Sequence, residues 1–194
     1  MIDWPTLLSV LRLDARELRY ACRVGSQVYG TAQPGSDEDF VVVRLGDHPR
    51  DLIRQPEINV ILQGETAFLA SLAHQNLFAL ECLFVPPQHR LKDAHFPWKL
   101  DRRLLLAEIS ERSTSDFEKG IKTLAHEPLK ARKRLFHALR VPTFAGQILR
   151  EGRISDFSAA NRYFEEIFTD PSEDPAHHDA LWRPIWLGLL ADLD

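Results

Sequence analysis

The sequence predicts an α/β core over residues 1–98 followed by a helical region over residues 99–194. Three observations carry that expectation. Strand-like runs rich in apolar and β-branched residues recur in the first half, at Leu18–Val24, Phe40–Leu45 and Glu57–Leu62. From about Leu100 the apolar residues take helical spacing instead, through Ile109, Phe117, Ile121 and Leu124. Between the first two strands stands the most informative stretch of the chain, residues 25–39, Gly-Ser-Gln-Val-Tyr-Gly-Thr-Ala-Gln-Pro-Gly-Ser-Asp-Glu-Asp.

Taken in order, Asp3 with Pro5 in the first turn predicts a short helix over residues 5–12. The strand Leu18–Val24 runs into Gly25-Ser26, a helix-start or tight-turn signal, and a second turn, Pro34-Gly35-Ser36, delivers two carboxylates to the mouth of the next strand. Asp37 and Asp39 are two apart, so on an extended backbone they leave one face while Glu38 leaves the other. Such a pair of hard oxygen donors suits Mg²⁺, which completes its shell with water and substrate phosphate. Gly25 and Ser26 offer what phosphate needs: backbone open to close approach, amide donors if a helix begins there, and a hydroxyl. Arg23 beside that turn is either a phosphate contact or a paired strand-end arginine. The segment Gly46–Asp51 reads as a turn and not as a metal site.

Gly64–Ala73 reads as a helix, and Asn76–Pro86 as an apolar segment in which Glu81 must find a partner. A metal, an arginine such as Arg23, or backbone amides would each serve. Cys22 and Cys82 sit in apolar surroundings and read as buried free thiols.

In the second half a helix starting at Pro128 carries Lys130, Lys133, His137 and Arg140 on one basic face, while Leu135, Phe136 and Leu139 turn inward. It ends at Gly152, and Ser155-Asp156 is placed to cap a helix running through Phe168. The last helix is amphipathic, with Leu181, Trp182, Ile185, Trp186, Leu189 and Leu190 on its apolar side and His177-His178 expected at the surface. At 194 residues, with 44% hydrophobic and 27% charged, the chain can bury a core without staples. A net charge of −4 argues against a wholesale polyanion binder, though not against a local basic stripe. No apolar run approaches the ~18 residues of a membrane span and no leader pattern opens the chain, so the expected setting is cytoplasmic and reducing.

The series Gly25-Ser26-x-x-Tyr29-Gly30-Thr31, then Ser36-Asp37-x-Asp39 ahead of a β-rich strand, resembles the polymerase-β-like nucleotidyltransferase superfamily. It is most similar to the bacterial branch associated with RNA repair. Asn76 followed by Leu80-Glu81, and Lys133 followed by His137 and Arg140, resemble that branch too. The resemblance implies a core with a mixed sheet and a C-terminal helical region that closes the cleft. It implies Gly25, Ser26 and Ser36 at the nucleotide's phosphates, and Lys133, His137 and Arg140 as further nucleotide contacts. It makes Asp37 and Asp39 catalytic ligands of two Mg²⁺ or Mn²⁺ ions. The third carboxylate of the family falls at Asn59, an amide that binds Mg²⁺ weakly and cannot act as a base. Glu57, two residues away on the same strand face, is the candidate substitute, with Glu81 as another.

The implied reaction is transfer of a nucleoside monophosphate from an NTP to an acceptor hydroxyl, with an RNA end as acceptor. Transfer to a protein or small-molecule hydroxyl is the alternative enzyme reading. A catalytically silent nucleotide- or RNA-binding module is the alternative that Asn59 motivates. The nucleotide base, the acceptor and the oligomeric state stay open.

Overall fold

The computed structural model describes residues 2–193. The chain divides into two compact units, Met1–Lys99 and Leu100–Asp194. The first is a mixed five-stranded sheet with helices. It is built from α1 (Trp4–Leu11), β1 (Leu18–Val24), α2 (Ser26–Tyr29), β2 (Glu38–Arg44), β3 (Asp51–Gln55), β4 (Ile58–Gly64), α3 (Glu65–Ala73), α4 (Leu77–Phe84) and β5 (Arg90–Lys92). Across the sheet the strand order is β3-β4-β2-β1-β5. β2 and β4 are parallel and every other neighbouring pair is antiparallel, so the sheet is mixed.

Alternation along the strands decides what each face holds. Phe40 and Val42 of β2 and Ile58 and Val60 of β4 point to one side, where they bury against Leu7 and Leu11 of α1. The Asp3 side chain caps α1 by accepting the Thr6 N–H at 3.0 Å, as Asp-x-x-Thr ahead of an apolar helix should. Asp39 pairs with Asn59 and Val41 with Ile61 in the β2–β4 register, so these residues share the opposite face. β3 adds Leu52 and Arg54 to that face through its register with Ile61 and Asn59.

The sequence does not announce β3 or β5. Asp51–Gln55 is mostly exposed and lacks a clean alternation, and it becomes a strand by pairing with β4 across the two-residue turn Pro56-Glu57. That turn also corrects an expectation. Glu57 does not begin the strand: it sits in the left-handed region at φ +68°, ahead of β4, and its carbonyl accepts the Glu38 N–H at 2.8 Å. It therefore does not share the pleat of Asn59.

The second unit contains α5 (Arg102–Thr123), α6 (Pro128–Glu151), α7 (Asn161–Thr169) and α8 (Pro175–Ala191). Its core joins Phe117, Leu135, Leu139, Tyr163, Ile167, Trp182 and Trp186. Phe117 and Trp186 stack at 4.5 Å between centroids, and the Trp186 indole donates to the buried Ser113 hydroxyl at 2.6 Å. Ser113 in turn donates to the Ala138 carbonyl at 2.7 Å. Every polar group of that chain is thereby satisfied, which burial demands.

Two details of this half differ from expectation. Ser155-Asp156 is followed by a turn, not a helix: Asp156 takes the Ser158 N–H and hydroxyl, Gln147 holds the Ser155 and Asp156 N–H groups, and α7 begins only at Asn161. His178 is not at the surface but fully buried, with Nε2 against the Ser172 carbonyl at 2.9 Å, because the segment before α8 folds back over it. His177 does stay half-exposed, 2.8 Å from Asp170. Among the described residues no single helix is long and apolar enough to cross a membrane.

Candidate functional site

The end of β1, the start of β2 and the start of β4 meet at one corner of the sheet. Asp37 lies just ahead of β2 and Asp39 within it, and the register places Asn59 beside Asp39. The Asn59 side-chain amide donates to Asp37 Oδ2 and to Asp39 Oδ1, both at 3.1 Å. One nitrogen thus reaches both carboxylates, which means that they converge on one point.

Gly25 closes the corner on the other side. Its φ is +74°, and a Cβ there would fall 2.7 Å from Asp39 Oδ2. Only glycine satisfies both conditions. Ser26 opens the single turn of α2, whose Val28 and Tyr29 N–H groups bond back to the Gly25 carbonyl. The turn is held from behind, where the Tyr29 hydroxyl donates to the buried Glu81 carboxylate on α4. That bond answers the question posed by Glu81 in an apolar run, and it ties Tyr29 to the Leu80-Glu81 stretch. The α4 helix is itself capped by Asn76, which accepts the Ala79 N–H at 3.2 Å.

Other candidates are spoken for. Arg23 is buried and pairs with Glu38 at 3.0 Å, its guanidinium also meeting the Ile2 carbonyl and lying over the Phe40 ring. It serves the α1 side of the sheet. The Ser36 hydroxyl accepts the Gln33 N–H at 2.8 Å and so helps shape the turn that presents Asp37. His48 lies in the loop against Gly64, whose N–H donates to its carbonyl. Cys22 and Cys82 are buried free thiols, and burial pushes the Cys82 thiol well up.

An open cavity of about 550 Å³ covers the corner, lined by Gly25, Asp37, Asp39 and Asn59 and extending over Leu52, Arg54, Ile61 and Phe78. Glu57 is not part of it. Among the described residues no three His, Cys, Asp or Glu side chains come together as a metal-binding group. The donor set at the corner is two carboxylates and one amide, which fits a hard divalent cation that keeps open positions for water or phosphate. It does not supply the third carboxylate that a two-ion arrangement would use.

In the helical unit, Lys133 and His137 come together with Arg112, Lys130 and Arg134 around a shallow groove of about 360 Å³. Asp116 lies in their midst, 2.8 Å from His137 Nδ1 and 4.0 Å from Arg134. Burial works to raise the Asp116 pKa, but the hydrogen bond from His137 and the charges of His137, Arg112 and Arg134 outweigh it and hold the carboxyl below its ordinary value. Arg140 does not join them. Two turns beyond Lys133 it is buried, with its guanidinium against the rings of Phe136 and Phe144.

No protein-family model matches the chain, and neither does any curated protein. Among solved structures it is similar to a nucleotidyltransferase-like protein from Exiguobacterium sibiricum 255-15. The identity is 12%, 96% of this chain and 73% of that one are covered, and the TM-score is 0.36.

Arg54 is the charged cavity residue that sequence reasoning missed. Its signal was hidden in a strand too exposed to be recognised, and only the pairing of β3 with β4 sets it opposite Asn59.

Proposed function

We propose that this chain is a divalent-metal-dependent nucleotidyltransferase that moves a nucleoside monophosphate from an NTP to an acceptor hydroxyl, with an RNA end as acceptor. The observation that carries the reading is the convergence of Asp37 and Asp39 on the Asn59 amide beside a glycine that admits no side chain. In this reading Asp37 and Asp39 hold Mg²⁺ or Mn²⁺, and Asn59 orients them. A bound divalent ion would neutralise charge on the triphosphate and orient the phosphoryl group that is transferred.

The chain's own residues do the rest. Gly25 lets the triphosphate approach the backbone, with Ser26 beside it as a hydroxyl donor. The Tyr29–Glu81 bond keeps that turn in place. Of the residues lining the cavity, Asp37 and Asp39 are the proton acceptors to which the acceptor hydroxyl can give up its proton. Lys133 and His137 in the basic groove are proposed as further phosphate contacts. The RNA end as acceptor is supported by the resemblance of Tyr29, Leu80-Glu81 and the Lys133–His137 spacing to the RNA-repair branch.

The test is pyrophosphate release from each of the four NTPs with Mg²⁺ or Mn²⁺, with and without a mixed RNA pool, beside Asp37→Asn and Asp39→Asn. RNA-dependent release that falls by about 10³-fold or more in either variant is the expected result. Asn59 favours one other reading, a nucleotide-binding module without turnover, because an amide replaces the family's third carboxylate. Tight, metal-dependent nucleotide binding with no release from any NTP would select it.

A further inference from the structure

Strand order gives the corner two unlike sides. Reading across β3-β4-β2-β1, Gly25-Ser26 follows β1 on one flank of the Asp37–Asp39 pair, while β4 and the edge strand β3 form the other. In phosphoryl transfer the attacking oxygen and the leaving oxygen lie in line on opposite sides of the phosphorus. If the leaving pyrophosphate rests on the Gly25-Ser26 flank, the attacking hydroxyl arrives over β4 and β3.

That flank has a distinct surface. Arg54 stands opposite Asn59 in the register and lines the cavity. Among the described residues its side chain makes no hydrogen bond or ion pair. Asp37 is bonded to the intervening Asn59 amide and not to Arg54, so the positive charge of Arg54 is not spent on that acid. Beside it Leu52, 48% exposed, and Ile61 give an apolar floor on the same face. β3 is two strand spacings from β2, roughly 10 Å. A cation there lies on the flank of the cavity away from Gly25, where a second molecule would arrive.

We propose that Arg54, over the Leu52–Ile61 floor, is the acceptor-binding residue, contacting a backbone phosphate of a single-stranded polynucleotide whose hydroxyl end enters along the β3 edge. This rests on the transfer reading above and adds the direction of entry and the residues that receive the acceptor strand. A backbone phosphate beside an apolar-faced base matches a cation beside an apolar floor. A bland function also exists for a charge on an exposed edge strand: it discourages pairing with another chain. That function is served by either sign of charge, and phosphate binding is not.

The experiment uses the full chain with Mg²⁺ and two probes: a labelled 12-residue single-stranded RNA of mixed sequence with a free 3′-hydroxyl, and a fluorescent ATP analogue, each followed by anisotropy. Arg54→Gln is expected to weaken RNA binding about tenfold and to lower the salt slope by about 0.7, the value for one phosphate contact on a single strand. Arg54→Glu should weaken it further and Arg54→Lys should restore most of it, with ATP-analogue affinity unchanged within about twofold throughout. Unchanged RNA affinity in both Arg54→Gln and Arg54→Glu, or a wild-type chain that does not bind the RNA, overturns the proposal and leaves transfer to some other acceptor standing. An equal loss of nucleotide affinity in Arg54→Gln also overturns it, because Arg54 would then belong to the triphosphate. Failure of the wild type to bind the ATP analogue is a different result, which sinks the transfer reading and this inference with it.

Discussion

The carboxylate corner of the sheet unit and the basic groove of the helical unit are both clusters of charge, yet they are built in opposite ways. In the groove most of the cations meet acids of their own: Lys130 pairs with Glu127, Arg112 with Glu108, and Asp116 serves both Arg134 and His137. At the corner the two acids are gathered by a neutral amide. A cluster that supplies its own counter-charges can stand as surface structure. Like charges drawn together by an amide keep a repulsion that a bound cation would relieve. The contrast makes the corner the stronger candidate for chemistry and leaves the groove a candidate for contacts alone.

The largest test of that contrast is Gly25→Ala. The added methyl would meet Asp39 Oδ2 at 2.7 Å in a backbone region that alanine avoids. The expected cost is about 2 kcal/mol or more in chemical denaturation, with metal-dependent nucleotide binding falling at least tenfold. A wild-type-like variant would mean that the corner is not closely built. Asn59→Asp comes next. It replaces the bridging donor with a third carboxylate, so without metal the chain should lose about 1–2 kcal/mol, and millimolar Mg²⁺ should recover it. Thermal melts in chelator and in Mg²⁺ read this directly, and equal melting points in the two would break the comparison.

In the groove the expected effects are smaller. Because the folded Asp116 pKa lies below its unfolded value near 3.8, its contribution to stability is present above that pH and is lost as pH falls through the folded value. Denaturation of wild type and Asp116→Asn should therefore differ by up to ~1 kcal/mol at pH 6, and the two curves should converge as pH falls below 3.8 and through the folded value. A gap that widens on acidification would contradict the pairing. The smallest effect belongs to Glu57. Glu57→Gln should change nucleotide binding by less than about twofold, and Glu57→Gly should stabilise the chain by at most ~1 kcal/mol by relieving the left-handed backbone. A large binding loss in Glu57→Gln would return Glu57 to the site.

Much of the fold is legible in the amino-acid sequence. The capped first helix, the strand into Gly25, the turn that presents Asp37 and Asp39 on one face, and the helices over Gly64–Ala73 and from Pro128 to Gly152 all follow from local patterns. These are short-range consequences of pleat period, helical period and capping, which a few neighbouring residues determine. The exposed strand Asp51–Gln55, the burial of His178 and the partner of Glu81 are not legible there, because each depends on a segment elsewhere in the chain.

The sequence by itself determined the chemistry on offer, namely two carboxylates on one face, a glycine and hydroxyl turn, and an amide where an acid was expected. Only the tertiary structure decided the neighbours. The left-handed turn took Glu57 off the strand face, the β3–β4 register brought Arg54 opposite Asn59, and the parallel β2–β4 register set Asn59 between the aspartates. The physical reason is that strand register and turn handedness are settled by pairing between distant segments, and one residue of slip would have sent every one of these side chains to the other face.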